Sequence, residues 1–75
     1  MDEDVFEDLR GTVCPMNFVK VKVALAKMSK GQTLRVLLDD GEPVENVPRS
    51  AKLQGHEVLV VEREADHWSV AIRKG

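Results

Sequence analysis

Between residues 15 and 40 the hydrophobic pattern changes its period, and that change restricts the chain to folds that lay a helix on a sheet. From Pro15 to Lys30, Phe18, Val21, Leu25 and Met28 recur at the spacing of one helical face. Val19, Val23 and Ala26 widen that stripe, while Asn17, Lys20, Ala24 and Lys27 read as the wetter opposite face. Proline suits a first helical position, where its missing N–H costs nothing. Gly31, preceded by Lys27 and Lys30, predicts the end of the helix, since basic groups suit the negative end of its dipole. Directly afterwards TLRVLLDD (33–40) alternates around Leu34, Val36 and Leu38, the period of a strand with one buried face.

The flanking segments extend the pattern. MDED (1–4) reads as a flexible tail, and residues 5–75 as one domain opened by a short strand, VFEDLR (5–10). Pro43 and Pro48 predict a divided second helical region: a turn near 42–46, then a helix from about Pro48 to Gln54 capped by Gly55. HEVLVVERE (56–64), with Val58 and Val60 facing one way, and WSVAIR (68–73), alternating Trp68, Val70 and Ile72, form a hairpin across ADH (65–67). The order β-α-β-α-β-β predicts a two-layer α/β sandwich, a four-stranded mixed sheet with two helices on one face. Right-handed crossovers join the first strand to the second and the second to the third where those pairs run parallel, and the other sheet face is expected to meet solvent.

Composition narrows the setting. With 75 residues and one cysteine there is no internal disulfide, so packing alone must hold the fold. That favours a reducing compartment, and a cytoplasmic location is expected. The opening MDEDVFED is acidic and unlike a signal peptide, and no apolar run approaches the length of a membrane span. The net charge of −2 argues against a general nucleic-acid binder.

The single cysteine stands in GTVCPMNFVK (11–20), where strand pattern gives way to helix pattern. Two readings stand side by side: Cys14 as a small buried hydrophobe, or as a reactive thiol at a helix start. Unpaired N–H groups and the dipole at such a start favour thiolate, lowering a reference value of ~8.5 to between roughly 7 and 8.3. Lys20 and Lys22 lie about two turns along, suited to docking an acidic partner. Lys22 falls amid the apolar arc between Phe18 and Ala26 and is expected to run its stem along the sheet edge. His56 and His67 have no metal-like spacing to Cys14, so no metal is expected. Asp39 and Asp40 read as a strand-end turn and helix cap, Trp68 as core or edge packing, and Arg49 and Lys52 as a solvated face. Glu62, Glu64 and Asp66 mark a wet hairpin end.

The run D8-L-R-G-T-V-C-P-M-N17, followed by Lys22 and Ala24-Leu25, resembles the TusA/SirA-like sulfur-carrier family, whose signature is D-x-x-G-L-x-C-P-x-P. Asp8, Gly11, Cys14, Pro15 and Lys22 match. The likeness continues through Asp39-Asp40, Asn46 to Pro48, Gly55 to Val58 and Ile72 to Lys74. It implies a two-layer sandwich and a Cys14 that accepts sulfane sulfur as a persulfide, without independent turnover and with no cofactor beyond that covalent sulfur. Gly11 and Pro15 are then expected to support the thiol and helix start, joined by Asn17, whose side chain in the first turn can bond toward the cap, and Asp8, Arg10, Lys20 and Lys22 are expected as partner contacts. A cysteine desulfurase or rhodanese-like donor would load it, and a protein acceptor would take the sulfur for tRNA thiolation, cofactor synthesis or sulfur metabolism. Asn17 replaces the second signature proline and Thr12 the leucine, which bears on thiol tuning and partner choice. The residues also allow a non-catalytic binding module acting through Lys20, Lys22, Lys27 and Lys30, directed at nucleic acid or protein, or a thiol redox sensor.

Overall fold

The computed structural model describes residues 4–12 and 16–75. Val5–Asp8 forms β1, Met16–Lys27 α1, Thr33–Asp39 β2, Glu42–Leu53 α2, Glu57–Arg63 β3 and His67–Arg73 β4. The strands lie in the order β1-β2-β4-β3, with β1 parallel to β2 and β4 antiparallel to both neighbours. β4 thus inserts between β2 and β3, and the short β1 and the bulged β3 become the sheet edges. This is the α/β architecture that the alternating periods predict.

The two central strands supply the driest positions. Leu34, Val36 and Leu38 of β2 stand beside Ile72, Val70 and Trp68 of β4, and all but Trp68 are fully buried. Val21 and Leu25 of α1, Met28 just after it, and Val47 and Ala51 of α2 close over that face to make one core. Burying an aliphatic side chain of this size stabilises by about 1.5–3 kcal/mol, so this layer is what a disulfide-free domain depends on. On the opposite face Phe6 is 59% exposed, while Arg35 lies across β4 and donates from Nη1 to Ser69 Oγ at 2.7 Å. Among the described residues no helix covers that face.

Three expectations need correction. The buried stripe of α1 is Asn17, Val21, Ala24 and Leu25, continued by Met28; Val19 and Val23 are exposed, as is Ala26. Asn17 and Ala24, read as wet, therefore face the sheet, because α1 is apolar on more than one side and its pattern fits two rotations. Lys22 is exposed. Second, α2 is one continuous helix across Pro43 and Pro48. Pro43 sits in the first turn, where no intrahelical N–H is needed, and only Pro48 removes a bond from the interior. Third, Asp4, read as part of the tail, is held: its N–H donates to the Thr33 carbonyl at 2.8 Å and its carboxylate accepts the Thr33 N–H at 3.0 Å. Residues 1–3 lie outside the described residues.

Among the described residues no helix is long and apolar enough to cross a membrane.

Candidate functional site

Val13, Cys14 and Pro15 lie outside the described residues, so the expected thiol is located only by the chain on either side of it. On the strand side that chain is pinned. Leu9 leaves β1 but stays buried in the core, and its N–H donates to the Leu37 carbonyl at 3.0 Å. Thr12 turns back so that its N–H reaches the Leu9 carbonyl at 3.1 Å. Between them Gly11 takes φ +80°, a left-handed backbone that a side chain would strain. Its N–H donates to Asp39 Oδ2 at 2.7 Å, tying the loop to the end of β2. On the helix side α1 begins at Met16, with Asn17 buried in its first turn.

The aspartates of the strand ends are thus occupied, in a manner that the sequence alone did not indicate. Asp39 holds the Gly11 N–H, and Asp40 accepts Trp68 Nε1–H at 2.8 Å. Neither caps α2, whose N-cap is Gly41 with no side-chain cap bond. That indole bond, ahead of the nearby Arg63, holds the Asp40 carboxyl below the usual range. Arg63 itself stacks over the Trp68 ring at 5.6 Å from its centroid. Trp68 packs beside Leu38 as expected, but with its polar atom committed to the turn that opens α2.

Asp8 and Arg10, expected as partner contacts, engage each other. Arg10 donates from Nε and Nη2 to the two carboxylate oxygens of Asp8 at 2.9 and 2.7 Å, and its backbone N–H adds a third bond. These bonds lower the Asp8 carboxyl to about 2 and raise the Arg10 guanidinium. Both side chains remain exposed, so the pair can still meet a partner, as a rigid fork. His67 stands opposite Asp39 in the sheet register and bonds Asp66 at 2.8 Å, which lowers the Asp66 carboxyl. Among the described residues no group of His, Cys, Asp or Glu could hold a metal ion.

The electrostatics of α1 point toward its start. Its first turn has no acidic side chain, so the positive end of the dipole is left uncompensated by the helix itself. Its far end is served by Lys27 and by Lys74, whose Nζ donates to the Leu25 carbonyl at 2.7 Å. Asn17 sits at the beginning of this helix, only 1% exposed. Its Oδ1 accepts the Phe18 N–H at 2.6 Å, and its buried Nδ2 has no acceptor among the described residues. Lys20 lines a groove between α1 and β1, whereas Lys22 is exposed and takes no part in it. Sequence reading passed over Leu9 and Lys74; a lone leucine between charges and a lysine near the last strand give no periodic signal.

Comparison with known proteins adds the family context. Residues 7–74 match the family model described as Sulfurtransferase TusA. A provisionally named sulfur carrier protein of Archaeoglobus fulgidus is 46% identical over 68 residues, covering 89% of this chain and 77% of the relative. Another, from Thermotoga maritima, is 39% identical over 67 residues, covering 88% and 85%. The crystal structure of a SirA-like protein from Desulfitobacterium hafniense superposes with a TM-score of 0.82 at 28% identity, covering 95% of this chain and 97% of that one.

Proposed function

On the premise that this chain belongs to the TusA sulfurtransferase family, we propose that it carries sulfane sulfur as a persulfide on Cys14 and relays it between partner proteins. The observation that carries this reading is the match across residues 7–74, which runs through the only thiol in the chain. In the loading step the Cys14 thiolate attacks the outer sulfur of a donor persulfide. A new S–S bond forms on Cys14, the donor S–S bond breaks, and the donor leaves as a thiolate. In the delivery step an acceptor thiolate attacks the outer sulfur on Cys14, and Cys14 departs as thiolate. Each step is an exchange with no net oxidation, so no cofactor is required.

The surroundings suit that exchange. An open helix N-terminus lowers a thiol modestly, which keeps it both ionised and nucleophilic. Asp39 and Leu9 brace the chain on the strand side, and Asn17 is buried in the first helical turn on the other. With no second cysteine, no neighbour in the chain can discharge the persulfide as an internal disulfide. The exposed Asp8–Arg10 fork stands close by in the chain as a contact for donor or acceptor.

The test is intact mass spectrometry after incubation with a cysteine desulfurase and cysteine, or with a rhodanese and thiosulfate. A gain of sulfur that reductant reverses, absent in Cys14→Ser, is expected. Equal loading of Cys14→Ser would overturn the assignment, and no gain from either donor would remove its support.

A further inference from the structure

Among the described residues, α1 and β1 leave an apolar groove between them. It has a volume of about 410 Å³, and its walls include Val5 and Glu7 of β1 and Val19, Lys20, Val23 and Lys27 of α1. We propose that this groove docks an extended, acidic and apolar segment of a partner protein, which adds to β1 as a further strand of the sheet. The proposal deepens the carrier reading by locating a partner contact, and it rests on that reading only for the partner's identity.

Three observations converge on this occupant. The first is the free edge. Among the described residues β1 pairs only with β2, in parallel, so alternate N–H and C=O groups of this edge strand point outward beside the groove. The second is the surplus of apolar surface along that edge. Val19 is 41% and Val23 48% exposed on the α1 side, and Phe6 is exposed on the other side of the same strand. A strand added here places alternate side chains against the two valines and the intervening ones beside Phe6, matching an edge-strand mode of recognition. The third is charge. Although the whole chain carries −2, α1 reads MNFVKVKVALAK, with three lysines and no acidic residue. Lys20 and Lys27 stand on the groove, and among the described residues neither takes part in an ion pair. Glu7 on the strand wall repels acid there, so the carboxylates of the segment lie on the α1 side. A second copy of this chain fits poorly, because pairing β1 with β1 brings one lysine-bearing helix toward the other.

The experiment needs no sulfur chemistry. A capped synthetic peptide whose helix-facing alternate positions are valine and glutamate in turn, with threonine at the intervening positions, is titrated into the full-length ¹⁵N-labelled protein, with a control peptide carrying lysine in place of each glutamate. Amide shifts are expected at Val5, Phe6, Glu7, Val19 and Val23. Joint replacement Lys20→Glu and Lys27→Glu, both at exposed positions, should weaken binding by roughly ten- to thirtyfold, as two exposed pairs turn from attraction to repulsion. Val19→Ser with Val23→Ser should weaken it while leaving the fold's spectrum intact, and Cys14→Ser should bind as the parent does. Equal binding of the lysine peptide, shifts confined to the open sheet face, an RNA oligonucleotide bound at the same lysines more tightly than the peptide, or a dimer formed through β1 would each overturn the proposal. Absence of peptide binding with sulfur loading intact would remove the docking site and leave the carrier reading standing.

Discussion

The two helices have twelve residues each and cover the same sheet face, yet they end in opposite conditions. α2 is electrically self-contained: Glu42 and Glu45 occupy its first turn, Lys52 its last, and its buried residues are Val47 and Ala51. α1 has no acid at its start and exposes two valines beside two lysines that pair with nothing among the described residues. α2 too exposes a large apolar side chain, Leu53, but at its last position, whereas the exposed valines of α1 lie in mid-helix. Under the proposals above, α1 offers its N-terminus to an anion and its flank to a partner. The thiol on which the proposed function turns precedes the open helix.

The sharpest way to break this contrast is to place the same charge on each helix. Val47→Asp puts an unpaired carboxylate in the core and should cost about 3–5 kcal/mol, enough to unfold much of a small domain. Val23→Asp should change stability by no more than about 0.5 kcal/mol in the same urea titration. Comparable losses at both sites would mean that α1 is packed more tightly than its exposed valines indicate.

A smaller effect is expected where α2 tolerates its internal proline. Pro48→Ala restores the N–H that the Val44 carbonyl lacks within the helix, against a more flexible unfolded chain. The net gain should be about 1–2 kcal/mol in denaturant midpoint. A loss instead would show that the ring of Pro48 packs well enough to outweigh its missing bond.

The smallest effect concerns how α2 hands over to β3. The His56 N–H donates to the Ala51 carbonyl at 3.0 Å, and its Nδ1 accepts the Gly75 N–H at 3.0 Å. Burial, and then the Lys74 ammonium, hold the imidazole below its ordinary value of 6.5. The folded state therefore binds this proton less readily than the unfolded chain, so its stability is fully present above that value and declines as pH falls below it. Chemical denaturation at successively lower pH should show the decline, and His56→Gln should flatten it. The same Lys74 bonds the last turn of α1.

These residues also show what was legible in the sequence. Strand periods were plain because β2 alternates buried and half-buried positions along its length and β4 sets Trp68, Val70 and Ile72 on one face; Leu34, Val36, Leu38, Val70 and Ile72 are, with Val47 of α2, the driest residues described. The rotation of α1 was not, since a helix apolar on two sides gives no unique stripe; the structure buries Asn17 and Ala24 in preference to Val19 and Val23. α2 was read as broken because proline rules are local, whereas packing across β2, β3 and β4 holds the helix through Pro48. At the candidate site, Cys14, Gly11 and Asn17 stood out from spacing and resemblance. The bond from Gly11 to Asp39 crosses 28 positions of sequence, and no local pattern could announce it.

The bond between Trp68 and Asp40 gives the molecule an optical property as well as a structural one. With one tryptophan and no tyrosine, its near-ultraviolet emission comes from a single indole. That indole is hydrogen-bonded to the turn before α2 and stacked beneath Arg63. Unfolding of that corner, or a ligand that withdraws Arg63 from the ring, would change the colour and yield of the light emitted, so the chain carries an intrinsic, label-free reporter.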